Sequence, residues 1–258
     1  MNKIVDEAYY DLIIDNNLIP TYASNAENIY PINPKTSLMV LSEETFNMQS
    51  LGTYPYSHFP SLFTLSSEVC TNSNIDKIQS NPNFSLYGQG VIIGIIDTGI
   101  DYTHKAFLYP DGSSRIISIW DQTIEGEPPS GFQYGSEYTS QLINTALSQE
   151  NPLNIVPTID DVGHGTMLAG IIGGNENIQN SFRGIVPKCE YLIVKLKPAK
   201  RLNKKIFSIS ENQLCFEETD VIAGLSYITD LGRQLHRPVS ICIAMGTSQG
   251  GHNGKGAT

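Results

Sequence analysis

Val91-Ile92-Ile93-Gly94-Ile95-Ile96-Asp97-Thr98-Gly99 is the stretch on which the fold turns. An unbroken apolar run, with no alternating polar residue, describes a strand covered on both faces. An acid follows at once, and then a glycine that lets the chain turn sharply away. In open parallel sheets, ligands and catalysis gather at the carboxyl ends of strands. Asp97 is therefore a candidate functional carboxylate, ionised only if it receives hydrogen bonds or a charged partner. A strand-ending aspartate that caps a turn explains the same three letters, so the motif alone does not decide.

Outward from this run, Tyr191 to Leu196 and Val239 to Met245 read as further buried strands. Between them, Thr166 to Ile172 is apolar and small and closes at Gly173-Gly174, as a helix does. Thr219 to Leu235 places Val221, Leu225, Ile228 and Leu231 at three-to-four spacing, with His236-Arg237-Pro238 as a stop. Strand and helix in alternation predict an α/β fold, a parallel sheet with helices on both faces, over residues 91–258. Residues 1–65 predict a small α+β domain. Its strands are Tyr9 to Ile14, Ser37 to Leu41 and Ser61 to Leu65, with a short helix from Ser42 toward Leu51. Residues 66–90, rich in Ser, Asn, Gln and Gly, read as a linker.

Gly163-His164-Gly165-Thr166 leads straight into the first of those helices. An imidazole at a helix start feels the positive end of the dipole, which favours the neutral form a general base needs. Flanking glycines remove bulk, so a substrate could approach the ring. Asp97-Thr98-Gly99 also matches the opening of an aspartic protease site. That chemistry needs a second such motif, which is missing, and an all-β architecture.

The formal net charge of −10, from 16 basic and 26 acidic side chains, argues against a nucleic-acid partner. No apolar run approaches the ~18 residues of a membrane span, and no basic start precedes a greasy run, so neither membrane partner nor signal peptide is expected. Cys70, Cys189, Cys215 and Cys242 are scattered without C-x-x-C spacing. No metal or cofactor is expected, and Cys189 and Cys242 read as small buried apolar groups in a reducing compartment. Asp160-Asp161 reads as a solvated turn that could instead tune His164. The basic residues from Lys195 to Lys205 read as an exposed insertion. His104 reads as a structural loop residue.

Together, V-I-I-G-I-I-D-T-G-I-D, D-D-V-G-H-G-T-M-L-A-G and Gly184-Ile185-Val186-Pro187 resemble the subtilisin-like serine proteases (subtilases, peptidase family S8). The resemblance covers about residues 88 to 258. It implies a serine endopeptidase in which Asp97 and His164 are catalytic. It also implies that Ala244, Met245 and Gly246 pair with the backbone of a protein or peptide substrate. The family's order is aspartate, histidine, serine. Gly246-Thr247-Ser248 is followed by Gln249-Gly250-Gly251, a poor helix start, so Ser248 is set aside. The nucleophile and oxyanion-stabilising asparagine are expected beyond Thr258, which would leave these residues inert alone.

The N-terminal region resembles the family's propeptide, a partner that assists folding and blocks the cleft. The stretch from Gly88 to His104 and S-I-W-D-Q-T, Ser118 to Thr123, are similar to clostridial germination proteases of the Csp type. That subgroup processes a cortex-hydrolase precursor, and some members act as regulators without catalysis. Its likeness implies a cytoplasmic or spore-associated location in a clostridia-like bacterium. Two further readings are a catalytically dead pseudoprotease acting as a binding module, and a short product acting as folding chaperone or inhibitor.

Overall fold

The structure, a computed structural model, describes residues 2–44, 46, 52–65, 85–176 and 182–247, with the side chains of 23–27 and 65 left aside. The expected helix toward Leu51, most of the 66–90 linker, Cys70 and the residues from Ser248 onward lie outside this set.

Strands β1 (Tyr9–Asp15), β2 (Ile29–Pro31) and β3 (Thr36–Ser42) form an antiparallel sheet with β3 in the middle. The Asn16–Asn28 stretch that joins β1 to β2 is 3-10 rather than α-helical. After β4 (Leu62–Leu65) comes β5 (Ile92–Asp97), the run quoted above. Then follow β6 (Ile116–Asp121), β7 (Ser136–Thr139), α1 (Ser140–Leu147), α2 (His164–Gly173) and β8 (Glu190–Lys195). The remainder comprises α3 (Arg201–Ile206), β9 (Phe216–Glu217), α4 (Glu218–Gln234), β10 (Val239–Cys242) and β11 (Met245–Gly246).

The central sheet runs β10-β5-β8-β6-β7. Its first four strands are parallel, and β7 closes one edge antiparallel to β6. Alternate residues serve opposite layers. Ile92, Ile96, Leu192 and Val194 cluster with Val221, Tyr227 and Ile228 of α4. Ile93, Ile95, Tyr191 and Ile193 cluster with Ile143 and Ala146 of α1 and Ala169 of α2. Each such side chain contributes about 1.5–3 kcal/mol by leaving water, so both faces of β5 are bound into the core. Val239 to Met245 is not one strand. It breaks at Ile243-Ala244, so β10 pairs with β5 while β11 leaves the central sheet.

The N-terminal sheet is packed onto the rest. Tyr10, Leu12, Met39 and Leu41 share a cluster with Phe59 and with Leu202 of α3, while Ile4, Leu38 and Val40 join the cluster beneath α4. The basic stretch after β8 is not an exposed insertion. Lys200 is 1% exposed, and Lys197 and Lys204 are buried. The reason for Lys197 and Lys200 is a set of buried acids facing them, which charge counting along the chain could not place.

A buried arginine ties loops together. The Arg115 guanidinium donates to the carbonyls of Pro187, Cys189, Ala106 and Gly173 at 2.6–2.9 Å. It thereby closes the C-terminal end of α2, where the helix dipole is negative. Charge-assisted bonds to buried groups are worth about 1.5–3 kcal/mol each, and orphaning the acceptors adds cost. Replacing Arg115 by Leu is expected to lower stability by about 3–5 kcal/mol in denaturant titration, with little rescue by Lys. A loss under about 1 kcal/mol would contradict this role.

Candidate active site

Asp97 is the last residue of β5, at the carboxyl edge of the parallel sheet. His164 is the first residue of α2, entered through Gly163 at φ +82°. The two side chains, 67 residues apart in sequence, meet with Asp97 Oδ1 and His164 Nδ1 at 2.8 Å. The same carboxylate oxygen accepts the Thr98 amide at 2.8 Å. Asp97 has no exposed surface, and its Oδ2 has no hydrogen-bond partner. Burial pushes its pKa up, opposed by the bonds from His164 and Thr98.

What brings the two loops together is a brace that motif reading alone did not supply. Asp160 was expected in a solvated turn, and only its neighbour Asp161 is so placed, with its side chain 71% exposed. Asp160 Oδ1 accepts Thr98 Oγ1 at 2.7 Å and the Gly163 amide at 2.9 Å. Its Oδ2 accepts the Thr166 amide at 2.8 Å and Thr166 Oγ1 at 2.6 Å. Thr98 Oγ1 in turn accepts the Gly165 amide at 3.0 Å, and Thr166 Oγ1 accepts that of Asp101 at 2.8 Å. Burial raises the Asp160 pKa, but these donors outweigh it and hold it below the usual value. An ionised Asp160 thus caps the start of α2 and fastens it to the residue after Asp97. The visible sign was a carboxylate four residues before His164, with a threonine following each of the two motif residues at short range.

The glycines have a tighter reason than substrate access. A side chain on Gly165 would lie 2.2 Å from the Gly99 carbonyl oxygen, so the two backbones touch. Gly99 itself sits at φ +116°, outside the range of ordinary residues. His104 caps the short 3-10 turn Lys105–Phe107 by accepting the Ala106 amide, a structural role.

Met245 and Gly246 lie in β11, paired antiparallel with Leu65 and Thr64 of β4; Ala244 is outside this pairing. On its other side β4 pairs with β9, Leu62 against Glu217 and Phe63 against Phe216. An extended segment from the N-terminal region is therefore held between two strands. Cys189 and Cys215 are buried, Cys242 is half-buried, and all three are free thiols. Among the described residues no group of three His, Cys, Asp or Glu side chains is placed to hold a metal ion, and no helix is long and apolar enough to cross a membrane.

A buried carboxylate whose pKa is raised opposes folding once pH exceeds its unfolded value of about 4. Asp97→Asn removes that charge. Its thermal midpoint at pH 7 is expected to rise by about 2–4 °C, equivalent to ~1 kcal/mol. The gain should vanish near pH 3, where the native acid is protonated too. A lower midpoint at pH 7 would contradict the electrostatic account.

Comparison with known proteins bears on the family and the fold. The sequence profile described as "Peptidase_S8: Subtilase family" matches residues 88–240. The solved CspB protease of Clostridium perfringens superposes with a TM-score of 0.58 at 33% identity, covering 71% of this chain and 34% of that one. The PII-type proteinase of Lacticaseibacillus paracasei is 28% identical over 127 residues, 48% of this chain and 6% of that protein. The subtilisin-like protease SBT2.2 of Arabidopsis thaliana is 31% identical over 125 residues, 42% of this chain and 15% of its own length. The chain thus spans a small part of these curated relatives and a third of the solved one. With the profile match covering more than half of its residues, the chain belongs to the subtilase family.

Proposed function

We propose that these residues supply the acid–base half of a serine endopeptidase that hydrolyses peptide bonds by acyl transfer. The observation that carries the proposal is the 2.8 Å contact between Asp97 Oδ1 and His164 Nδ1 at the carboxyl edge of a parallel sheet. With Nδ1 committed to the carboxylate, Nε2 is the nitrogen that takes the proton of an attacking hydroxyl and returns it to the leaving amine. Asp97 fixes the ring and stabilises the imidazolium. The reading requires a serine nucleophile downstream of Gly246.

The substrate in this reading is an extended peptide, bound as an added strand between β9 and β11. The position of Leu62–Leu65 supports that, since the chain's own segment already pairs there on both sides. The N-terminal region then acts as a propeptide whose end stands in the substrate's place. CspB is a protease by the name of its structure, and a protein substrate is proposed here on the likeness to it.

The test uses the gene product carrying the serine. Asp97→Asn is expected to lower kcat by about 10⁴ while the protein stays folded. A fluorophosphonate, which reacts with an activated serine, should label the unsubstituted protein and fail on His164→Ala. Unchanged turnover in Asp97→Asn, or absence of labelling in the unsubstituted protein, would overturn the proposal; the second result would favour a pseudoprotease.

A further inference from the structure

Five ionisable side chains are buried together away from the Asp97–His164 pair. Asp11 comes from β1 in the N-terminal sheet. Lys197 and Lys200 come from the segment after β8, Glu217 from β9 and Asp220 from α4. Lys200 Nζ bonds Asp11 Oδ1 at 2.5 Å. Lys197 Nζ lies 2.8 Å from Asp220 Oδ2, 3.8 Å from Asp11 Oδ2 and 3.9 Å from Glu217 Oε2. Tyr134 donates its hydroxyl to Asp220 Oδ1 at 2.8 Å, and Glu217 Oε1 accepts the Lys200 amide at 2.8 Å. Asn203 of α3 brackets Asp11, accepting its amide and donating to its carbonyl, both at 3.0 Å. Other charged groups on the packed elements point elsewhere. Lys3 bonds Asn28, Lys204 the Glu211 carbonyl, Glu218 the Ser61 amide, and Arg201 and Lys205 face Glu43.

The count is three carboxyl groups against two ammonium groups. A surplus charge in so enclosed a place is costly, and a carboxyl group there keeps a proton instead. Without Asp11 the remaining four groups balance with both acids ionised. We propose that Lys197, Lys200, Glu217 and Asp220 form a socket for one carboxyl group, filled by Asp11 of the N-terminal sheet, and that filling it takes up one proton. The proton is held on Glu217, whose Oε2 is buried without a hydrogen-bond partner. Burial drives the Glu217 pKa well up, Lys197 opposes, and Asp11 reinforces the rise. For Lys197, burial works against the charge, yet its acid neighbours prevail and keep it an ammonium.

The sign follows from linkage. The docked state carries one proton more than the opened state at neutral pH, so opening releases a proton. Above the ordinary carboxyl range of about 4, and below the raised docked value, each pH unit makes opening tenfold more favourable. The N-terminal sheet is thus held firmly in mild acid and loosened toward alkaline pH. This inference does not rest on the protease reading.

Amide hydrogen exchange on the whole chain tests it. After correction for intrinsic exchange, protection of peptides covering Tyr9–Asp15 and Thr36–Ser42 is expected to fall about tenfold per unit from pH 6 to pH 8. Peptides covering Ile92–Asp97 serve as the internal control and should not share the slope. Glu217→Gln, which mimics the protonated acid, should stay folded and flatten the slope, and Asp11→Asn should flatten it too. Protection that does not change with pH in the unsubstituted chain would overturn the proposal. So would an unaltered slope in either folded variant.

Discussion

A carboxylate without exposed surface is tolerated only when donors are fixed around it, and the site is organised by that demand. Asp97 sits at the end of the most enclosed strand of the sheet, and its neighbours are the Thr98 amide and the His164 ring. For the ring to be there, α2 must begin beside the end of β5. Asp160 ensures this by binding Thr98 on one side and Gly163 and Thr166 on the other. The backbone contact of Gly99 with Gly165 allows no intervening side chain. Rigidity here comes from short bonds between backbone and small polar side chains, backed by an apolar core on both faces of β5.

Much of this was legible in the sequence. The uninterrupted run before Asp97 specified a doubly covered strand, and the spacing in residues 219–235 specified α4, because periodic apolar burial is a local signal. Asp97 and His164 stood out because each followed or opened an element with a glycine beside it. Their contact was not legible from spacing, since it depends on how β5 and α2 pack. Asp160 was missed for the same reason. A carboxylate beside another acid looks solvated until the amides at the helix start are seen to point at it. The antiparallel strand β7 and helix α1 escaped notice because short amphipathic segments such as Ser136–Thr139 carry little pattern.

The lysines after β8 show the converse failure. In a chain of net charge −10, a run of basic residues looks like a solvated face. Their counter-charges come from Asp11, Glu217 and Asp220, on three different elements, so only the fold reveals that Lys197 and Lys200 are enclosed. This arrangement also binds the N-terminal sheet to the part that holds the site. The same N-terminal region supplies β4, which pairs with β9 on one side and β11 on the other.

The central claim is that Asp97 and His164 form a hydrogen-bonded pair poised as a base. Proton NMR of the chain with ¹⁵N-labelled histidine examines that bond itself. The account predicts a strongly downfield Nδ1 proton assigned to His164 that persists in the unsubstituted chain and moves upfield or disappears in Asp97→Asn. A His164 Nδ1 signal unaffected by that substitution, in a chain that remains folded, would contradict it.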